Sequence, residues 1–213
     1  PRSTPKPSSA ASDVYKRQGL DKNCFPNWWS KLPVGSTMVV QPKIEGCSVG
    51  LRYKYGQLVD ACSRESPEII ENIRAINTIP LSIDDTLKVE VELEGVLYSP
   101  IYSSKFPKEE FISNSSKPID AKAPLAFLAF QIFSSKSDEL SDLTQLQKWG
   151  FEVPITLRTD DPRQVKIWHS QWINNELFSN LPTNGIVAKC NSSSTKDFLG
   201  AVSSTHLTLQ RKA

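Results

Sequence analysis

Lys43 is the side chain with the clearest potential for chemistry. An apolar run at 38–40 precedes it, and the run that follows alternates, with Val49, Leu51 and Tyr53 on one face. This pattern predicts two strands with Lys43 in a short break between them. A lysine held there could act as a nucleophile once neighbouring cations or desolvation had lowered its pKa, which is ordinarily about 10.4. An exposed lysine in a β-turn is the open alternative.

The composition limits the classes of function. The chain has 213 residues and a formal net charge of +2, which predicts one sizeable domain whose nucleic-acid contacts would need a local basic face. Four cysteines without C-x-x-C spacing and two histidines disfavour a zinc site, a disulfide framework and Ser-His-Asp catalysis. They favour a reducing cytoplasm and Mg²⁺ on carboxylate or phosphate oxygens. The chain has no apolar run of membrane-spanning length, so no membrane association is expected.

The elements that would position Lys43 are strands interspersed with short helices. Apolar residues recur at a period of two in the predicted strands and near a period of 3.6 in the predicted helices. Gly150 closes one helix, which Ser141 or Asp142 could cap, and His169 lies on another as a structural residue. Beyond the two strands around Lys43, the pattern predicts strands at 57–63, 87–98 and 125–133 and helices at 67–76, 140–149 and 163–177.

The two ends of the chain differ from the rest in composition. Residues 1–18 are polar and rich in proline and serine, and 202–213 have a similar character. We expect 1–18 to be disordered or adaptor-derived and 202–213 to be a non-native tail, with both outside the fold. The folded domain is then 19–201. A genuine arm and a genuine last strand are the alternative.

Several motifs resemble one enzyme family. Lys43-Ile44-Glu45-Gly46 resembles the K-x-D-G motif of the covalent nucleotidyltransferases, which are DNA ligases, RNA ligases and capping enzymes. The longer run from Pro42 to Arg64 resembles the NAD-dependent DNA ligases more specifically, and the run 181–189 resembles their L-P-x-x-x-D-G-V-V-x-K segment. Features shared with that family, in order, are Lys43, Gly46, Arg64, Asn72, Arg74, Gly95, Gly185 and Lys189.

This resemblance implies a fold and a reaction. The fold is an α+β adenylation domain, a nucleotidyltransferase fold of ATP-grasp-like type built on antiparallel sheets. The reaction is attack of neutral Lys43 on the α-phosphate of NAD⁺, which forms lysyl-AMP and then passes AMP to the 5′-phosphate of nicked double-stranded DNA. The expected protein is a cytoplasmic monomer that uses NAD and Mg²⁺ in DNA replication and repair.

The resemblance also implies a role for each site residue. Lys43 is the nucleophile, Arg64 and Lys189 stabilise phosphate charge, and Glu45 is catalytic and binds Mg²⁺. Gln41 lies near the adenine, and Glu94 borders the nucleotide on a strand whose carboxylate face would ordinarily be exposed to solvent. We expect Lys43, Arg64, Glu94 and Lys189 to surround one cleft.

Three positions depart from the family pattern. Glu45 replaces an aspartate and keeps its charge, whereas Val96 replaces a glutamate and Asn184 replaces an aspartate. These changes favour a second hypothesis, a catalytically degenerate module that binds nucleotide or nucleic acid. The letters Gln41-Pro42-Lys43 and a shortened segment at 99–123 resemble a short, divergent branch of the family more closely than its main replicative branch. An ATP-using ligase or capping enzyme is a third hypothesis, which the family-like segment from Arg64 to Pro80 disfavours.

Overall fold

A computed structural model describes residues 24–63, 69–84, 90–100, 125–133, 135–199 and 206–210. The helices are α1 (Cys24–Trp29), α2 (Ile70–Arg74), α3 (Glu139–Lys148), α4 (Pro162–Ile173) and α5 (Ser193–Leu199). The strands are β1 (Met38–Ile44), β2 (Cys47–Lys54), β3 (Gln57–Ser63), β4 (Glu90–Tyr98), β5 (Ala126–Ile132), β6 (Leu157–Thr159), β7 (Thr183–Cys190) and β8 (His206–Leu209). The described helices include none that is long and apolar enough to cross a membrane.

The strands form two sheets, and every paired neighbour is antiparallel. The first sheet has the order β6-β1-β7-β8, and the second has the order β3-β2-β4-β5. Helices cover one face of each sheet, so the predicted α+β fold on antiparallel sheets is confirmed.

Each sheet buries its own hydrophobic core. In the second sheet, Val49, Leu51 and Tyr53 are buried on one face, as their alternation predicts, and α2 and α3 pack against that face. The buried hydroxyl of Tyr53 donates a hydrogen bond to the Pro80 carbonyl oxygen, which satisfies the one polar atom of that side chain. The first sheet packs against α1 and α4, which contribute Trp28 and Trp172 to its core.

The connection between β1 and β2 differs from the prediction. Strand β1 continues through Lys43 to Ile44, because Pro42 and Ile44 still pair with β7. The prediction that Lys43 lies in the break was therefore wrong, since the break is Glu45-Gly46. The chain passes there from the first sheet to the second. A side chain at Gly46 would collide with the Leu97 carbonyl oxygen, so the passage requires glycine.

Several predicted elements need adjustment. Helix α3 begins at Glu139, one residue before the predicted start at 140. Neither Ser141 nor Asp142 caps this helix, and Asp142 instead accepts a hydrogen bond from Ser135. The fourth helix ends at Ile173, before the predicted end at 177. Gly150 has the positive φ of a C-terminal glycine, at 88°. Arg64 and the predicted structure at 67–68, 87–89 and 99–123 lie wholly or largely outside the described residues.

The end of the chain contributes to the first sheet. Strand β8 pairs with β7, and its Leu207 and Leu209 are buried in the core of that sheet. The prediction that 202–213 lie outside the fold was therefore wrong for 206–209. Whether this tail is native, and the domain boundaries 1–18 and 19–201, stay predictions.

Candidate active site between the two sheets

A cleft of about 520 Å³ lies between the two sheets, where β1 leaves the first sheet and β2 enters the second. Its walls are therefore supplied by elements far apart in sequence. The first sheet contributes Gln41, Pro42, Lys43, Ile44, Asn184, Val187, Lys189 and His206; the connection contributes Glu45 and Gly46; and the second sheet contributes Ser48, Glu94, Val96, Leu128, Phe130 and Gln131.

Lys43 lies in the cleft wall near the end of β1, and its side chain is partly exposed. Glu45, in the connection, is exposed at the same wall. The Glu45 backbone N–H donates a hydrogen bond of 2.7 Å to the Pro182 carbonyl oxygen, directly before β7. This bond joins the K-x-D-G-like segment to the L-P-x-x-x-D-G-like segment, two runs that the sequence separates widely.

Lys189 reaches the cleft from β7, where it pairs with Val39. Its ammonium group is almost fully buried and lies 2.5 Å from Oε1 of Glu139 and 3.2 Å from the Phe130 carbonyl oxygen. It also lies 5.2 Å from the centre of the Phe130 ring, within the range of a cation–π contact. Lys189 is therefore held at one position in the wall by three contacts.

Glu139 is a site residue that no sequence pattern indicated. Its Oε2 accepts from Lys196 at 2.7 Å, so one buried carboxylate lies between two ammonium groups. Burial alone would raise the pKa of Glu139, but Lys189 and Lys196 outweigh burial and hold that pKa at about 2. The sequence offered no signal, because a glutamate in the first turn of a helix is ordinarily exposed and favourable there.

Glu94 is buried, in contrast to Glu90 and Glu92 on the same strand, which are exposed. Its Oε1 accepts a hydrogen bond of 2.5 Å from the Ser48 hydroxyl, across the β2–β4 pair. Its Oε2 has no hydrogen-bond partner among the described residues, although the side chain is only 2% exposed. A buried acceptor of this kind costs free energy unless a ligand supplies a donor. The alternative interpretation of this carboxylate face, plain exposure to solvent, therefore does not apply to Glu94.

Amide side chains also line the cleft, among them Gln41 and Asn184. Gln41 is buried, and its Nε2 donates to the Thr156 hydroxyl at 3.0 Å. The buried Oδ1 of Asn184 has no partner among the described residues. Among the described residues, two buried acceptors of cleft-lining side chains, Glu94 Oε2 and Asn184 Oδ1, thus have no hydrogen-bond partner, and a ligand with hydroxyl or amino groups would supply the donors that they lack.

Five of the six predicted site residues line the cleft. Lys43, Glu94 and Lys189 line one cleft, together with Gln41 and Glu45. Arg64 lies outside the described residues. Within the described part of the chain, no three His, Cys, Asp or Glu side chains form a cluster that could hold a metal ion. His169 is buried against Trp172 on α4 and does not line the cleft.

Solved structures with a similar fold are ligases. An archaeal ATP-dependent RNA ligase has a TM-score of 0.57 at 14% identity, over 87% of this chain and 44% of that chain. A putative ATP-dependent DNA ligase from Aquifex aeolicus has a TM-score of 0.52 at 13% identity, over 86% of this chain and 46% of that chain. The fold is therefore that of the ligase nucleotidyltransferase domains.

Sequence relatives indicate which kind of ligase this chain resembles. The family model of the NAD-dependent DNA ligase adenylation domain matches residues 12–117. A DNA ligase of Mycoplasma genitalium is 28% identical over 188 residues, which are 78% of this chain and 28% of that protein. This chain is therefore similar to the NAD-dependent DNA ligase adenylation domain, as its motifs predicted. It spans less than a third of the length of the curated relatives that it matches.

Proposed function

We propose that this chain carries out the first step of DNA ligation, the transfer of AMP from NAD⁺ to Lys43. In this step the neutral Nζ of Lys43 forms a bond to the α-phosphorus, and the phosphoanhydride bond to nicotinamide mononucleotide breaks. Nicotinamide mononucleotide leaves with the bonding electrons, and the lysine loses a proton. AMP then passes to the 5′-phosphate of a DNA nick, and the 3′-hydroxyl displaces it.

The observation that carries this proposal is the position of Lys43 at the wall of a cleft that Lys189 and Glu94 also line. We assign Lys189, with Arg64, to the negative charge on the phosphate. We assign Gln41 to the adenine. We assign the unsatisfied Oε2 of Glu94 to a ribose hydroxyl, because a hydroxyl group would supply the donor that this buried oxygen lacks.

A divalent cation is part of the proposal. Mg²⁺ commonly binds one or two carboxylates together with substrate phosphates and water, and an exposed carboxylate at the mouth of a phosphate site fits that donor set. Glu45 has this position, so we propose that it would hold Mg²⁺. The ion would neutralise part of the phosphate charge when bound.

A degenerate binding module is the second candidate. Val96 and Asn184 both line the cleft, so the two positions without the family's carboxylates face the proposed nucleotide. The choice of NAD⁺ over ATP is supported by the family match and not by the structural neighbours named above, whose names describe ATP-dependent enzymes.

Mass spectrometry after incubation with Mg²⁺ and either NAD⁺ or ATP tests the proposal. We expect NAD⁺, and not ATP, to add one AMP to the protein, and Lys43→Ala to abolish the addition. Lys54→Ala is the matched control, because Lys54 is exposed at the far end of β2 and does not line the cleft. AMP on another residue of Lys43→Ala would contradict the proposal, and nucleotide binding without any AMP transfer would favour the binding module.

A further inference from the structure

Lys189, Glu139 and Lys196 form a cluster of ion pairs behind the cleft wall, which we call the charge cluster. Glu139 is 5% exposed and Lys189 is 6% exposed, whereas Lys196 is 24% exposed. The two carboxylate oxygens are divided between the two ammonium groups, with Oε1 accepting from Lys189 and Oε2 from Lys196. Such pairing is what a buried carboxylate requires.

The backbone holds Glu139 in place through β7 and α5. The Glu139 N–H donates to the Asn191 carbonyl oxygen at 2.9 Å, and the Leu140 N–H donates to the Asn191 side-chain oxygen at 3.1 Å. The Asp138 carboxylate accepts from the Ser193 N–H at 2.9 Å. The start of α3 is therefore locked onto the segment between β7 and α5, and Glu139 meets Lys189 across 50 positions of sequence.

The number of charges in the cluster matters for a phosphate ligand. A lone Lys189–Glu139 pair would be electrically neutral, and a phosphate beside it would gain little. Lys196 shares the carboxylate, so Lys189, Glu139 and Lys196 together carry one net positive charge. The Asp142 carboxylate, one turn further along α3, and His206 on β8 also act on these groups. An ammonium group has three N–H donors, of which Lys189 uses two, on Glu139 and on the Phe130 carbonyl oxygen. One donor is left for a ligand in the cleft.

We infer that Glu139 is a positioning residue that fixes Lys189 for a nucleotide phosphate, and that Lys196 sets the positive charge of that phosphate site. This inference rests on the proposed function, because it assumes that the cleft binds a nucleotide with its phosphate near Lys189. It adds two residues, Glu139 and Lys196, which do not belong to the motifs that suggested the function.

Calorimetric titration with AMP and with adenosine tests the inference, because the ratio of the two affinities isolates the phosphate. We expect wild type to prefer AMP. Lys196→Met should lower AMP affinity about tenfold, which is about 1.4 kcal/mol, and leave adenosine affinity unchanged. This variant keeps the Lys189–Glu139 pair, so it should fold. Lys148→Met is the matched control, because it removes an exposed lysine of α3 that does not line the cleft.

Glu139→Gln separates positioning from simple charge neutralisation. If Glu139 only cancelled charge, its removal would add a positive charge and tighten AMP binding. We expect AMP affinity to stay at or below the wild-type value, because Lys189 without its carboxylate partner is no longer held at one position in the cleft wall. Thermal unfolding of each variant checks that it is folded.

The outcomes distinguish the inference from the proposed function. Equal AMP affinity in Lys196→Met and wild type, an equal loss in Lys148→Met, or tighter AMP binding by Glu139→Gln would each overturn the inference alone. No preference of wild type for AMP over adenosine would overturn both. The expected changes in affinity without any AMP on Lys43 would support the phosphate site and contradict only the proposed transfer reaction.

Discussion

Glu139→Gln should change the acid stability of this protein by an amount that follows from the structure. Burial alone would raise the pKa of Glu139, but Lys189 and Lys196, together with His206, outweigh burial and lower that pKa from its ordinary 4.5 to about 2. A lowered carboxylate pKa contributes stability that is complete above the ordinary pKa and is lost as the pH falls through the folded-state value. The shift corresponds to about 3 kcal/mol at neutral pH.

The assay is urea unfolding, followed by tryptophan fluorescence, of wild type and Glu139→Gln at several pH values. Other carboxylates titrate in both proteins, so the difference between the two unfolding free energies isolates Glu139. We expect wild type to be more stable near neutral pH, and we expect this advantage to shrink by about 2 kcal/mol between about pH 5 and about pH 3.

Glu71→Gln is the matched control, since it also removes a helical glutamate that is paired with a basic residue. The Glu71–Arg74 pair is exposed, with 62% and 48% of the side chains accessible, and such pairs contribute at most about 0.5 kcal/mol. Its pH dependence should match that of wild type. If the unfolding free energies of wild type and Glu139→Gln differed by a constant amount down to about pH 3, the assignment of Glu139 as an ionised carboxylate between two lysines would be refuted.

Two further predictions concern the cleft and the last strand. If missing carboxylates limit the rate, the double variant Val96→Glu with Asn184→Asp should speed AMP transfer at least about tenfold in single-turnover assays, since one hydrogen bond to a charged group is worth about 1.5 kcal/mol. Val59→Glu, at an exposed site, is the control. An unchanged rate of the double variant would contradict this explanation. Deleting 206–213 should reduce the unfolding free energy by about 3 kcal/mol, because it exposes core packed against Leu207 and Leu209. Deleting 1–18 should leave stability unchanged, and equal stability of both deletion variants would show that β8 contributes nothing.

The sequence by itself determined the features that depend on neighbouring residues. Alternation predicted which residues of β2 are buried, because successive side chains of a strand point to opposite faces. The apolar pattern predicted a helix from 163, and α4 begins at Pro162, where the Asp161 carboxylate accepts from the Arg163 N–H at 2.8 Å. The order of the motifs around Lys43 and Lys189 was also enough to indicate the family.

Only the tertiary structure decided which groups meet. Periodicity shows that Glu90, Glu92 and Glu94 share a face, but it does not show that Glu94 alone of the three is buried and lines the cleft. Likewise, nothing local to Glu139 predicts an ion pair with Lys189 across 50 positions. Charge pairs and unsatisfied acceptors depend on how the two sheets and α3 pack together, and that packing is a property of the whole chain.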